Sequence, residues 1–428
     1  MVIISNGYSK FFLSAAAVEA EKRGILSAFI TGAYPTPLVR SMLSLPLLRS
    51  NRKLNRLMAR AEPLDDSFVR PIFFPELLYH YGIGFKSEAA LVGSLRAYGR
   101  AAIPHVKRAA RENARIYHYR AGCGGDSLAV ARDLGLFILC DHSIAHPAVV
   151  DDLVENRGEL RRQTGSGKLG GFWQYVLSDI ERADAVVVNS NFIESTFKFV
   201  GQKGSPLHVI YLGVDDAFLS QVPERKVPGK TFKVLFAGQF ERRKGAGVVV
   251  EVLRHLGDLS FELEIAGKLD PQLVQENPEF FADSRVKCLG MLTRKELAEA
   301  MSQADLFLFP SFCEGSARVV FEALACGCYV VTTPNSGSIV EQDVHGSIVP
   351  PADSLETARA IEEAYRNRER TCAIGRANAE LIKTRYRQRN YGDQLEALYR
   401  TMAGNKSSRE QEKGPQNSSA VPSMAADR

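Results

Sequence analysis

The chain has 428 residues, 45% hydrophobic and 24% charged, with a net charge of +5. That length exceeds one ordinary core and predicts two domains. The composition is that of an ordinary soluble globular protein; the net charge alone says little about partners, and no nucleic-acid partner is expected. Seven cysteines stand at 123, 140, 288, 313, 326, 328 and 372, with no CxxC pair among them. They read as buried free thiols in a reducing compartment. The opening "MVIISNGYSK" lacks a basic stretch followed by an apolar one, so a signal peptide is not expected. No run approaches the roughly 18 apolar residues that span a bilayer. A cytoplasmic protein, or one bound to the inner face of a membrane, is expected.

In chain order, "VIIS" leads through Gly7 into the helical "FFLSAAAVEAEKRG", which ends on a C-cap-like Gly24. The runs "LFILCDH", "DAVVVNS", "LHVIYLG", "KVLFAGQ", "ELEIAGK", "DLFLFPS" and "YVVTTP" follow, separated by helix-like segments. Short continuous apolar runs of this kind predict parallel strands covered on both faces, in doubly wound α/β units. Two such series occur. They predict one domain over 1–205, a second over 206–385, a C-terminal helix over 386–402 and a disordered tail over 403–428.

Open α/β sheets bind ligands at the carboxyl ends of their strands. In the second series, "KVLFAG" is followed by "QFERRKGAG" with Arg242, Arg243 and Lys244. "ELEIAG" is followed by Lys268, and "DLFLFPS" by "FCEGSAR". Gly-containing loops, cations and a helix N-terminus at successive strand ends suit a phosphate. A single "RRKG" is more often a solvated loop; three neighbouring strand ends with this chemistry are harder to dismiss. Glu314 and Glu322 flank the start of the last helix. If the segment were helical throughout, its eight steps would span roughly 12 Å with both carboxylates broadly on one side. That suits an extended ligand with polyol ends and a phosphate between them, such as a nucleotide sugar. Glu322 sits among Val319, Val320, Phe321, Ala323, Leu324 and Ala325, so a buried carboxylate with a partner is expected there.

The stretch "FPSFCEGSARVVFEALACGCYVVTT" resembles the signature of the glycosyl transferases group 1 family: Glu, seven residues, Glu. "FAGQFERRKG", "ADLFLFPS" and "ADAVVVNSNFIESTF" with "HVIYLGVD" extend the resemblance over roughly 180–385. It implies the GT-B fold, two doubly wound Rossmann-like domains facing each other across a cleft. The first would bind the acceptor and the second the nucleotide sugar, and the C-terminal helix would cross back to the first. It also implies transfer with retention at the anomeric carbon, the leaving phosphate taking the acceptor proton. By similarity Glu322 binds the ribose, Glu314 the sugar hydroxyls, Lys244 the diphosphate, and backbone near Leu292 the base. Gly7 would face the donor phosphates. Gly238, Gly315 and Ser316 complete the donor-binding set. The chain departs from the family at Gln239, where many relatives carry Arg, and Arg243 is the candidate substitute. "IYHYRAGCGG" keeps only His118 of a His-x-His pattern, and "CDHSIAHP" adds His142 and His146. His118 and His142 are candidate catalytic residues, although a lone histidine is more often structural. No Asp-x-Asp motif occurs, so neither a metal nor another cofactor is expected.

Two basic stretches, "RSMLSLPLLRSNRKLNRLMAR" over 40–60 and "RAAIPHVKRAARENAR" over 100–115, suit either a solvated helix face or an anionic membrane. The membrane reading points to a lipid-linked acceptor in place of a free glycan. A dinucleotide-dependent dehydrogenase is disfavoured, since neither "SNGYSKFF" nor "AGQFERRKG" carries Gly-x-Gly-x-x-Gly. A nucleotide-sugar epimerase and a non-catalytic nucleotide-sugar-binding protein remain the alternatives of the same fold.

Overall fold

The computed structural model describes residues 1–9, 11–43, 52–160, 169–202, 204–224 and 229–412. Seven strands form the first sheet: β1 (Val2–Gly7), β2 (Leu26–Thr31), β3 (Val69–Pro71), β4 (Ile116–Arg120), β5 (Phe137–His142), β6 (Ala185–Val188) and β7 (Leu207–Val209). Six form the second: β8 (Phe232–Ala237), β9 (Phe261–Ala266), β10 (Val286–Gly290), β11 (Leu306–Phe309), β12 (Tyr329–Thr332) and β13 (Gly346–Ile348). Their orders are β3-β2-β1-β4-β5-β6-β7 and β10-β9-β8-β11-β12-β13. Within both sheets every described strand pairing is parallel.

Each order reverses direction once, between β1 and β4 and between β8 and β11. Chains leaving those neighbouring strands diverge, which opens a crevice at the carboxyl ends where a ligand can enter. Gly7 ends β1 at one crevice, and Gly238 follows β8 at the other. The central strands are buried on both faces, in keeping with their unbroken apolar runs. The strands not predicted from apolar runs are β2, which carries Ser and Thr, the three-residue β3 and β13, β4, and β10, whose Lys287–Gly290 are exposed at a sheet edge.

The first sheet continues through β7, a few residues past the expected boundary at 205. After it, Gly213 and Val214 meet the returning chain: the Val214 N–H donates to Tyr386 O and the Gln388 N–H to Val214 O. The helix Gln388–Glu412 then crosses back, placing Tyr391, Leu395, Tyr399 and Met402 in the first domain's core with Leu13, Ala16, Ala17 and Ala20. Arg23 holds its start through Glu19 and Asp393, each at 2.6 Å. This helix runs to Glu412, ten residues beyond its expected end, so the expected tail is helical over 403–412; 413–428 lie outside the described residues. No disulfide joins the seven cysteines; six are buried and Cys288 is exposed.

The two histidines expected at the cleft serve the core instead, which corrects their catalytic assignment. His118 lies in mid-strand on β4 with no exposed surface, and its Nδ1 meets the Tyr399 hydroxyl of the C-terminal helix at 2.7 Å. His142, at the end of β5, packs edge-on against Phe197 and lies 3.3 Å from Ala145 O through Nε2. Burial pushes His118 down to about 3 and His142 down to about 4. Such a histidine is neutral in the folded chain and takes up a proton on unfolding. Its contribution to stability is full above the unfolded value near 6.5 and falls as pH drops toward the folded value. The destabilisation caused by His142→Gln should therefore shrink between pH 6.5 and 5, by about 1.4 kcal/mol per pH unit at most. Denaturant unfolding of both proteins at the two pH values checks this. A penalty independent of pH would mean that His142 titrates alike in the folded and unfolded chains.

Candidate active site

The site grows from two loops at the β8/β11 crevice. The first, Gly238 to Gly245, carries Arg243 and Lys244 on a short 3-10 turn, Arg242–Lys244. Gly245 ends that turn at φ +77, and a Cβ there would stand 2.0 Å from the Pro310 carbonyl oxygen. Only glycine supports both the left-handed backbone and that approach. The second loop, Pro310 to Ala317, leaves β11 and enters the helix Arg318–Ala325. The loops are bonded backbone to backbone, Phe312 N to Arg243 O at 2.9 Å. The Arg243 side chain closes the pair: Nη1 donates to Cys313 O at 2.8 Å and to Glu314 Oε1 at 2.7 Å, and Nη2 donates to Glu241 at 3.0 Å.

Glu314 is therefore a loop residue. The helix begins four residues later, at Arg318, so the 12 Å helical span between the two glutamates does not apply. Glu314 is positioned by its own N–H, which donates to Asn335 O at 2.9 Å. Lys244 stands 3.9 Å from the same Glu314 oxygen and 5.6 Å above the Phe309 ring. Gly238, at φ +131, gives the lysine room, for a Cβ there would meet Lys244 Nζ at 3.2 Å. Two cations, Arg243 and Lys244, and two carboxylates, Glu241 and Glu314, thus converge at the crevice mouth. Gln239 is exposed, and Leu292 is half-buried against the second core.

Glu322 is 9% exposed, as the apolar neighbours predict. Its partners are Arg318, one helical turn earlier at 3.6 Å, and Arg294 at 3.5 Å. Both arginines also grip Asp215, Arg294 at 2.7 Å. Burial pushes the Glu322 carboxyl above the ordinary range, and Arg318 and Arg294 hold that rise back. Burial acts on Asp215 in the same sense but is outweighed by the two arginines, so its carboxyl lies below the ordinary range. Arg294, Arg318 and Asp215 were not singled out from sequence. The i, i+4 spacing of Arg318 and Glu322 was the available signal.

These residues open onto a cleft of about 760 Å³ between the domains. The first domain lines it with Phe11, Phe12 and Ser14, and the second with Arg294, Arg318 and Glu322. Gly7, at φ +74, ends β1 on the first domain's side; a Cβ there would stand 2.5 Å from Cys123 Sγ. On the opposite flank the domains touch. A Cβ on Gly315 would lie 1.9 Å from Ser143 O, and Ser190 Oγ donates to Gly315 O at 2.5 Å. Cys313 is inserted among Ala145, Val149, Val150 and Leu153 of the first domain. Ser316 is half-buried beside this contact. The structure thus groups Lys244, Arg243, Gly238 and Glu314, sets Glu322 in the adjoining cleft, and leaves His118 and His142 out of both. No cluster of His, Cys, Asp and Glu among the described residues could hold a metal ion.

Comparison with known proteins agrees with this geometry. Residues 231–367, the segment that carries both loops and both glutamates, match the glycosyl transferases group 1 family model. A D-inositol 3-phosphate glycosyltransferase of Pseudarthrobacter chlorophenolicus is 33% identical over 163 residues, which make up 36% of this chain and 38% of that protein. The chain spans less than half the length of several curated relatives that it matches, 38% to 48% of each. Among solved structures, sucrose-phosphate synthase of Thermosynechococcus elongatus superposes with a TM-score of 0.64 at 18% identity, over 95% of this chain and 100% of that one. Anabaena HepE, solved with UDP-glucose, superposes with a TM-score of 0.59 at 16% identity, over 94% of this chain and 100% of that one. The chain has the GT-B fold, and its residues 231–367 match the glycosyl transferases group 1 family model.

Proposed function

We propose that the chain is a retaining glycosyltransferase that moves a sugar from a nucleotide-sugar donor to a glycan or lipid-linked acceptor. The observation that carries this reading is the convergence of Arg243, Lys244 and Glu314 at the switch point of the second sheet. A diphosphate placed there meets two cations and the adjoining backbone of a helix N-terminus. Breaking the glycosidic bond builds negative charge on the leaving phosphate, and groups already aimed at that charge lower the barrier. Glu314 is set to accept hydrogen bonds from hydroxyls of the transferred sugar, and Glu322 from those of the ribose. Both are also paired with arginines, Glu314 with Arg243 and Glu322 with Arg294 and Arg318. The UDP-glucose bound to HepE, a protein of the same fold, supports a nucleotide sugar as the ligand class.

Lys244→Ala should weaken UDP binding by about tenfold or more, the usual worth of a charge-assisted hydrogen bond, with circular dichroism unchanged. Unaltered affinity by calorimetry would remove the diphosphate from this loop. Product formation should also require an acceptor; conversion of the donor without one would favour an epimerase.

The two glutamates should fail differently as Gln variants. Ribose hydroxyls are held alike before and during reaction, so Glu322→Gln should raise KM for donor more than it lowers kcat. The sugar ring gains positive charge as its bond breaks, so Glu314→Gln should lower kcat most. Equal KM defects with kcat intact in both variants would take Glu314 out of the chemistry.

A further inference from the structure

The helix Phe74–Gly84 of the first domain has its inner face fully committed. Glu76 is 2% exposed, accepts from the Ala33 N–H at 2.6 Å and pairs with Arg60 at 2.6 Å. The Tyr79 ring lies 5.0 Å from the ring of Tyr8, the residue after Gly7. Gly82 fits against Leu91 of the next helix, where a Cβ would be 2.9 Å from the leucine side chain. The outer face is different. Phe74 is 76% exposed, Leu77 68%, Tyr81 54%, and Phe85, at the C-cap, 71%. Their spacing of three, four and four residues places them in one stripe along the helix. Phe73 and Ile83 flank it. Of the twelve large hydrophobic side chains exposed among the described residues, these are six, in thirteen consecutive positions. Scattered exposed apolar residues need no explanation, but a continuous stripe does.

The charge around the stripe narrows the occupant. Between Phe73 and Ser87 the only acid is Glu76, which points inward and is neutralised by Arg60, with His80 3.5 Å away. Lys86 is exposed just beyond the helix, with exposed Glu88 two residues further on, and Arg56 is exposed on the helix that leads to Arg60. The two basic stretches singled out from sequence contribute less. In the second, Arg100 and Arg108 pair with Asp126 and Glu112. In the first, Arg40 pairs with Asp66 and Arg60 with Glu76, while Arg49 lies outside the described residues.

We propose that the outer face of Phe74–Gly84 docks the protein on an anionic lipid surface. An apolar stripe rich in aromatic side chains, with Lys86 at its end and no exposed acid between Phe73 and Ser87, suits the boundary between headgroups and acyl chains. No helix among the described residues is long and apolar enough to cross a membrane, so the attachment is to one face. The helix starts at the carboxyl edge of the first sheet, beside the end of β2, and its inner face touches the loop that follows Gly7. A docked molecule therefore holds the cleft close to the bilayer. That this serves a lipid-linked acceptor rests on the transfer reading above; the docking itself does not.

The test is sedimentation of the full chain, without sugar nucleotide, with vesicles of phosphatidylcholine containing phosphatidylglycerol and with phosphatidylcholine alone. The wild type should partition onto the anionic vesicles more strongly, and added salt should weaken that preference. The triple variant Phe74→Gln, Leu77→Gln, Tyr81→Gln should lose partitioning by more than about tenfold, and Leu77→Gln alone by a smaller measurable factor. Circular dichroism and UDP affinity should stay unchanged in both variants. Vesicle binding without UDP binding would sink the transfer reading and leave the docking in place. No partitioning of the wild type, or equal partitioning of the variants, overturns the proposal. So does a wild-type dimer in light scattering that the triple variant converts to a monomer, which would make this face a contact between two copies.

Discussion

The bonds from Arg243 to the 310–317 loop set the geometry of the whole site. A guanidinium that donates both to a backbone carbonyl and to the next residue's carboxylate fixes a loop in position and direction at once. With the Phe312 N–H on the Arg243 carbonyl as well, the two loops at the β8/β11 switch point act as one unit. The pair is half-buried, so removing either partner leaves a charge with little water around it. Under the proposed function the same arginine has a second task. It pairs with Glu314 and also meets the diphosphate. Lys244 stands 3.9 Å from the same carboxylate.

This unit is also where the domains meet. Gly315 lies so close to Ser143 that no side chain fits between them, and Cys313 next to Glu314 is buried in the first domain. Asn335, whose carbonyl positions Glu314, donates from its side chain to Gly158 O of the first domain at 2.6 Å. A shift of the first domain against the second would therefore pull on the loop that carries Glu314. The opposite flank is tied more loosely in sequence terms but firmly in space, by a helix 25 residues long that begins beside the interdomain strand end and packs along the first domain. Cleft width and the placement of Glu314 are thus coupled by covalent and packed structure together.

Much of the second domain was legible in the sequence because its site consists of loops that follow strands directly. Continuous apolar runs located β8, β9, β11 and β12, and the residues after them were then the site by topology alone. The first domain gave less. In β4, Tyr117, His118 and Tyr119 alternate between two buried faces, and nothing in the pattern says that His118 meets a tyrosine 281 residues away. Proximity in sequence to a strand end made His118 and His142 look available, whereas their burial is decided by the C-terminal helix and by Phe197. The arginine pair on Glu322 was half visible: Arg318 follows from helical spacing, while Arg294 and Asp215 arrive from other segments. The span drawn between the two glutamates failed for a local reason, since Gly315 and Ser316 keep the chain out of the helix until Arg318.

The contrast between the halves has a physical basis. Binding a nucleoside diphosphate calls for backbone donors and fixed cations at short range, and these leave compact motifs. Binding an acceptor calls for a shaped surface, assembled from segments far apart in the chain and described by no spacing rule. Under the proposed function that surface would include Phe11 and Phe12, which line the cleft, with Tyr8 linking the same loop to Tyr79. The aromatic contact continues through the helix Phe74–Gly84 to its exposed stripe. The polar end of the cleft is thus built on the second domain's hydrogen bonds, and the apolar end on the first domain's aromatic packing. Under the proposed function, that division separates the charged donor from the acceptor.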